Sequence, residues 1–132
     1  MKVIPRCLRT LEDANQIKDC AGVFGGLKAG LTSDASAALI ARKLRSPLII
    51  VSTVGAIFEN DPTQTKSRRL KSVSRIYIKE LARQGNGPHV LDKETCKILL
   101  KMSKRSVVRV CGPDNIIDVL DGNSENGTKI LL

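Results

Sequence analysis

The sequence feature that most constrains the fold is residues 22–41, GVFGGLKAGLTSDASAALIA, where an apolar strand end, a glycine loop and a helix start follow one another directly. Gly25, Gly26 and Gly30 let the backbone approach a ligand without an intervening Cβ. A hydroxyl such as that of Thr32 can cap the helix, whose free N–H groups and positive dipole end point back into the loop. The segment therefore predicts an anion site that suits a phosphate or a carboxylate.

The remaining pattern alternates apolar strands with amphipathic helices, which predicts a three-layer α/β/α fold with a mainly parallel sheet. We expect residues 1–132 to form a single domain. The predicted strands are residues 1–4, 21–24, 48–51, 70–73, 107–111 and 128–132. The predicted helices are residues 10–18, 33–44, 74–84, 92–103 and 113–120.

Apolar spacing also predicts which side chains face the core. The predicted inward side chains are Ala37, Leu39, Ile40 and Leu44 in the second helix, Ile76, Ile78 and Leu81 in the third, and Cys96, Leu99 and Leu100 in the fourth. The continuous apolar run at residues 48–51 predicts a strand covered on both faces. Thr10 and Asp13 have the spacing of a capping box, and Gly85-Asn86-Gly87-Pro88 predicts a helix end.

Composition limits the compartment and the kinds of partner. The N-terminus lacks an apolar stretch of signal-peptide length and no long uncharged apolar run occurs, so we expect a cytoplasmic protein without a membrane partner. Four widely spaced cysteines and one histidine do not have zinc-site spacing. We expect no bound metal among them, and reduced, mostly buried thiols.

A formal charge of +9 would draw in polyanions such as nucleotides or nucleic acid. Phe24, Phe58 and Tyr77 are the only aromatic residues, which leaves almost nothing for bases to stack on. We therefore expect no nucleic-acid partner, and a basic RNA-binding module stays the weakest alternative.

Four motifs, in this order, resemble the C-terminal half of the amino acid kinase superfamily. They are GG…GxTSDAxAA at residues 25–38, STVGAIFENDP at 52–62, VLD at 90–92 and ENGTKI at 125–130. The similarity is strongest to archaeal-type uridylate kinases and covers residues 22–132. It implies an amino-acid-kinase-like fold that lacks the N-terminal half.

The resemblance also implies site residues for an ATP- and Mg²⁺-dependent transfer of a phosphoryl group to UMP or a similar acceptor. The acceptor would contact Gly25, Gly26, Lys28, Gly30, Thr32 and Ser33. ATP would contact Ser52, Phe58 and Asp61. Asp34 and Asp92 would act at the reacting centre, and no protein metal ligand is implied.

Simpler roles stay open for several of these residues. Asp34 and Asp92 also fit the ordinary role of acids that complement a helix dipole. Phe58 also fits a core position, and Lys28 a solvated loop. The basic run at residues 66–83 is interpreted first as a solvated face, then as a surface that attracts ATP phosphates, and last as a nucleic-acid contact.

Relatives carry an N-terminal glycine loop and a lysine that grips the transferred phosphate, and residues 1–20 supply neither. Because charge stabilisation in the transition state is usually the largest catalytic term, we expect the chain to be inactive, or incomplete, without them. We expect a homo-oligomer or a partner that supplies the missing half. The alternative is a non-catalytic regulatory or interaction module that oligomerises through the uncovered sheet.

Overall fold

A computed structural model describes residues 1–61, 63, 66–84, 90–122 and 125–132. Within these residues the strands are β1 (Lys2–Leu8), β2 (Cys20–Phe24), β3 (Leu48–Val51), β4 (Ser72–Ser74), β5 (Val108–Cys111) and β6 (Thr128–Leu131). The helices are α1 (Ser33–Leu44), α2 (Arg75–Gln84), α3 (Lys93–Leu99) and α4 (Ile116–Leu120). Two short 3₁₀ turns occupy Glu12–Gln16 and Pro113–Asn115.

The described strands form two sheets, one of β1 and β2 and one in the order β3-β5-β6-β4. The pairs β1/β2, β3/β5 and β4/β6 are parallel, whereas β5/β6 is antiparallel. The three-layer α/β architecture and the mainly parallel pairing confirm the predicted fold class. The division into two sheets was not predicted.

The main core lies between the larger sheet and helices α1, α2 and α3. It includes Ile50, Val73, Ile78, Leu99, Val108, Val110 and Ile130, all less than 5% exposed. Residues of β1 and β2 are absent from this cluster. The side chains of Leu8 and Ile17 lie beside Gly22 instead. The first strand pair therefore packs separately from the main core.

Helix α1 has the predicted bounds, but its most buried residues are not the predicted ones. The buried residues are Ala35, Ser36, Ala38 and Ala41. Of the predicted inward residues, Ala37 and Leu39 are half-buried and pack against the core, whereas Ile40 and Leu44 are half-buried outside this cluster. The fully buried residues all have small side chains, which let α1 lie close to the core. The predicted inward face was therefore correct for Ala37 and Leu39 and missed the small residues that are buried most deeply.

Other predictions also needed correction. Ile76 is 80% exposed although Ile78 and Leu81 are buried as predicted. Strand β3 is not covered on both faces, because Val51 is 46% exposed. Strand β1 continues past the predicted residue 4 to Leu8, with an irregular register between Val3 and Cys7. Proline lacks an N–H group for a regular strand ladder, and Pro5 lies within this irregularity.

The predicted capping box is present in the hydrogen bonds. The Thr10 amide donates to Asp13 Oδ2 at 3.0 Å and the Asp13 amide donates to Thr10 Oγ1 at 3.2 Å. The turn that follows is a 3₁₀ turn rather than the predicted helix. The predicted helix end at residues 85–88, the single histidine (His89) and Pro62 of the STVGAIFENDP motif lie outside the described residues.

The four cysteines are free thiols, but only Cys96 and Cys111 are buried. Burial, and then the charge of Asp92, raises the pKa of Cys96 to about 12. Cys7 is exposed and Cys20 is half-buried, so the expectation of mostly buried thiols was wrong for these two. Among the described residues, no helix combines the length and the apolar character that crossing a bilayer requires.

Candidate functional site

The glycine loop continues β2 along the end of β1. The Gly25 amide donates to the Leu8 carbonyl at 2.9 Å, which holds the start of the loop. Gly30 has a φ of 80°, a conformation that glycine adopts without steric cost. A Cβ at Gly26 would meet nothing within 4 Å, so this glycine borders open space.

Thr32 caps α1, as the sequence predicted. Its Oγ1 accepts a hydrogen bond from the Ala35 amide at 3.1 Å, which satisfies one free donor of the first helical turn. The same hydroxyl donates to Asp92 Oδ2 at 2.7 Å. Thr32 therefore connects the start of α1 to the residue that precedes α3.

Asp92 is the N-cap of α3. Its Oδ1 accepts hydrogen bonds from the amides of Glu94 and Thr95, both at 2.9 Å, and its Oδ2 accepts one from Thr95 Oγ1 at 2.6 Å. Burial raises the pKa of Asp92, but the hydrogen bonds from Thr95, Thr32 and Glu94 outweigh it and hold the pKa below its ordinary value. Asp92 is therefore an ionised carboxylate that accepts hydrogen bonds from Thr32, Glu94 and Thr95.

Asp34 lies in the first turn of α1 and is half-buried. Burial, and then the negative charge of Asp92, raises its pKa above the ordinary value. Two carboxylates with opposite pKa shifts therefore lie close together beside the glycine loop. Such a pair is a candidate for a functional site, because a cation brought near Asp34 would be attracted by both charges.

A cavity of about 250 Å³ lies between the end of β2 and α1, and is lined by Phe24, Gly25, Gly26, Ser33, Ser36, Ala37 and Ile40. Three of the predicted acceptor residues, Gly25, Gly26 and Ser33, thus meet in one cavity. Lys28, Gly30 and Thr32 do not line it. Ser36, which the sequence did not single out, is 4% exposed and its Oγ has no hydrogen-bond partner among the described residues.

The loop after β3 is held at the carboxyl end of that strand. The Ser52 amide donates to the Cys111 carbonyl at 2.9 Å, and the Val54 amide donates to Ser52 Oγ at 3.2 Å. Gly55 has a φ of 80°, and a Cβ at Gly112 would lie 3.5 Å from the Gly55 Cα. The segments that follow β3 and β5 are therefore in backbone contact.

Thr128 anchors the middle of this loop to β6. Its Oγ1 accepts from the Ile57 amide at 2.8 Å and donates to the Leu70 carbonyl at 2.6 Å. The side chain is 2% exposed. Gly127 before it has a φ of 99°, and an added Cβ would collide with the Val110 carbonyl oxygen. The ENGTKI motif thus has a structural role that sequence reasoning missed, although its Gly-Thr pair before a strand was the available signal.

The predicted ATP residues lie in this loop, but the described hydrogen bonds do not join them to one another. Phe58 is half-buried and forms an isolated bridge with Arg69. Asp61 Oδ1 accepts from the Thr63 amide at 2.9 Å and from Thr63 Oγ1 at 2.7 Å. These bonds lower the pKa of Asp61, with the Thr63 hydroxyl contributing most.

Residues 2–110 match the model of the amino acid kinase family. The chain is 35% identical to a uridylate kinase of Methanopyrus kandleri over 81 residues, which cover 58% of this chain and 36% of that protein. It is 31% identical to a uridylate kinase of Natronomonas pharaonis over 139 aligned positions, 97% of this chain and 60% of that protein. The crystal structure of the uridylate kinase from Archaeoglobus fulgidus superposes with a TM-score of 0.80 at 23% identity, covering 98% of this chain and 61% of that one.

The chain thus spans 36% and 60% of the length of these two curated relatives. The superposition on the solved structure supports the fold, since the sequence identity is 23%.

Proposed function

This chain belongs to the amino acid kinase family, and we propose that it is the nucleotide-binding part of an ATP-dependent phosphotransferase that acts on UMP or a similar small acceptor. The observation that carries the proposal is the cavity where Gly25, Gly26 and Ser33 meet at the start of α1. A helix N-terminus beside open glycine backbone favours a phosphate group. The uridylate kinases among the relatives support UMP as the acceptor.

We propose that Ser52, Phe58 and Asp61 contact ATP. Their loop follows the carboxyl end of β3, next to the carboxyl end of the parallel strand β5. Nucleotides in open α/β sheets bind at this edge of the sheet. The bonds of Thr128 to Ile57 and Leu70 support the proposal, since they hold the loop in one position.

In the proposed reaction the γ-phosphoryl group passes directly to the acceptor phosphate, without a covalent enzyme intermediate. Asp92 acts as a positioning residue, because its oxygens are already bonded to Thr32 and to the start of α3. Asp34 holds a lysine or arginine against the transferred phosphate. The cation comes from outside the described residues, and its charge offsets the unfavourable ionisation of the half-buried Asp34.

Magnesium usually accompanies ATP chemistry and prefers oxygen ligands. Among the described residues there is no group of three or more His, Cys, Asp or Glu side chains placed to hold a metal ion. The described side chains thus do not by themselves form a magnesium site.

The divided sheet supports the proposal that a further segment, from a longer chain or from a partner subunit, completes the enzyme. β2 and β3 each border only one described strand, and Val23 and Val51 at these edges are 69% and 46% exposed. The unpartnered Ser36 Oγ lies in the cavity between β2 and α1. A further strand paired with β2 or β3 would cover Val23 or Val51, and its backbone groups would offer hydrogen-bond partners to Ser36.

The same exposed edges favour a second candidate, a non-catalytic module that associates with another copy of itself. An exposed strand edge is a template for pairing with another chain. A clean monomer in light scattering would contradict this second candidate and leave nucleotide binding intact.

Isothermal titration with UMP and with Mg-ATP tests the proposed function. We expect binding of both, and a Gly26→Val variant should lose UMP binding while it keeps Mg-ATP binding and the wild-type melting temperature, because a Cβ at Gly26 meets no neighbour. No heat with either ligand at high micromolar concentration would contradict the binding proposal. A kinase assay of this chain alone should give no turnover near the ordinary range of about 1–100 s⁻¹.

A further inference from the structure

A second cavity is strongly basic. It lies at the end of the larger sheet where β3 and β5 begin, whereas the proposed ATP site lies at the end where these strands finish. It measures about 540 Å³ and is lined by Arg42, Arg45, Lys101, Ser103, Arg105 and Ser106. These residues come from the last turn of α1, from the segment after α3 and from the turn that enters β5.

The position of this cavity separates it from the glycine loop and from the loop at residues 52–61. The parallel strands β3 and β5 begin beside it, where the Leu48 amide donates to the Val107 carbonyl at 2.9 Å. Both strands end at the Ser52 and Gly112 segments of the proposed ATP site. A four-residue strand spans about 13 Å, so the two sites lie at different ends of the strands.

The cations of this cavity have no acidic counterpart nearby in the chain. Residues 35–58 and 95–113, which supply all of its lining, contain no Asp or Glu. Elsewhere in the described residues, cations form ion pairs: Arg6 with Asp13, Arg68 with Glu59, Arg83 with Glu80 and Lys97 with Glu94. None of those pairs involves a cation of the cavity.

Arg45 contributes to the cavity from an unfavourable backbone conformation. It is the C-cap of α1 with φ 53° and ψ 36°, in the left-handed region where glycine or asparagine is usual. An arginine at this position carries a steric cost that glycine avoids, and it adds a positive charge to the rim. Strained backbone of this kind occurs often at binding sites.

We propose that this cavity binds a compact polyphosphate anion, either the triphosphate group of a nucleotide or inorganic tripolyphosphate. Three guanidinium groups and one ammonium group can together match the charge of such an anion, and guanidinium groups bind phosphate oxygens in pairs. The volume lies within the range of small-molecule sites. No aromatic side chain lines the cavity, so recognition is of the phosphates and not of a base.

Isothermal titration of the whole chain with inorganic tripolyphosphate tests this proposal. The double variant Arg42→Gln/Arg105→Gln should weaken binding by about ten-fold for each cation removed. Arg45→Asn should weaken it by a similar factor without loss of melting temperature, because asparagine tolerates the left-handed conformation. Lys43→Gln is the matched control, since Lys43 is exposed on α1 beside Arg42 but does not line the cavity.

Changes in the NMR chemical shifts of backbone amides show where each ligand binds. Tripolyphosphate should shift the amides of Arg45, Ser103 and Ser106, whereas UMP should shift those of Gly25 and Gly26. This readout stays valid if the chain fails to bind UMP, so the two proposals can fail separately. Equal affinities of ATP and tripolyphosphate at the cavity would support the shared triphosphate chemistry. A ten-fold preference for tripolyphosphate would identify the inorganic anion as the ligand.

Three results would overturn the proposal. The first is no binding of tripolyphosphate at physiological ionic strength. The second is an equal loss of affinity in Lys43→Gln and in the cavity variants, which would indicate a diffuse basic face. The third is tighter binding of a short RNA duplex than of tripolyphosphate, with a dependence on Lys43, which would indicate a nucleic-acid surface.

Discussion

The hydroxyl of Thr32 donates to Asp92 Oδ2 at 2.7 Å, which joins the start of α1 to the N-cap of α3 across 60 residues of sequence. The same threonine caps α1 through the Ala35 amide. One side chain thus sets the position of a helix start and the orientation of a carboxylate beside the glycine loop.

Replacement of Thr32 by valine removes both hydrogen bonds but keeps the shape of the side chain. We expect the free energy of unfolding to fall by about 1–2 kcal/mol, the usual cost of a lost N-cap. Urea denaturation measures the change. Thr32→Ser is the control, because its hydroxyl can make both bonds, and equal stability of the valine and serine variants would contradict this role.

The pKa of Asp34 is raised by burial and then by the charge of Asp92. The folded protein thus binds this proton more tightly than the unfolded chain does, and stability is lost as the pH rises through the folded pKa. Asp34→Asn should raise the melting temperature near neutral pH, with little effect well below the ordinary value of 3.8. Asp118→Asn, at an exposed position of α4, is the control. A lower melting temperature of Asp34→Asn than of the wild type at neutral pH would contradict the predicted direction of the change.

Gly127 has no room for a side chain, because a Cβ there would collide with the Val110 carbonyl and its φ is 99°. We expect Gly127→Ala to lower the free energy of unfolding by about 3 kcal/mol or more. Gly26→Ala, whose Cβ meets nothing within 4 Å, should change it by less than about 1 kcal/mol. Thermal denaturation of the two variants compares them, and similar melting temperatures would disprove the prediction.

Thr128→Val removes the acceptor of the buried Ile57 amide and the donor to the part-buried Leu70 carbonyl. We expect a loss of about 1–3 kcal/mol and faster hydrogen exchange at the Ile57 amide. Mg-ATP affinity should fall as well if this loop holds the nucleotide. Thr128→Ser keeps the hydroxyl and should preserve the slow exchange. Unchanged protection of the Ile57 amide in the valine variant would show that the bond does not hold the loop.

Local sequence rules predicted the elements that depend on local chemistry. Helix α1 begins and ends where predicted, because Thr32 supplies the cap and Pro47 lies just beyond its end. Strand β3 also has its predicted bounds. The face that a helix buries was less predictable: in α1 alanines face the core, and in α2 Ile76 is 80% exposed. That choice depends on the shape of the neighbouring elements, which apolar spacing alone does not contain.

By itself the sequence determined the α/β class, the glycine loop with its capped helix and the motifs that identify the family, since each depends on residues close together in the chain. Only the tertiary structure decided the pairing of Thr32 with Asp92, the anchoring of Ile57 by Thr128 and the division of the strands into two sheets. The physical reason is that such contacts join residues 60 and 71 positions apart. They form only when the packing of the whole core repays the entropy of closing those loops.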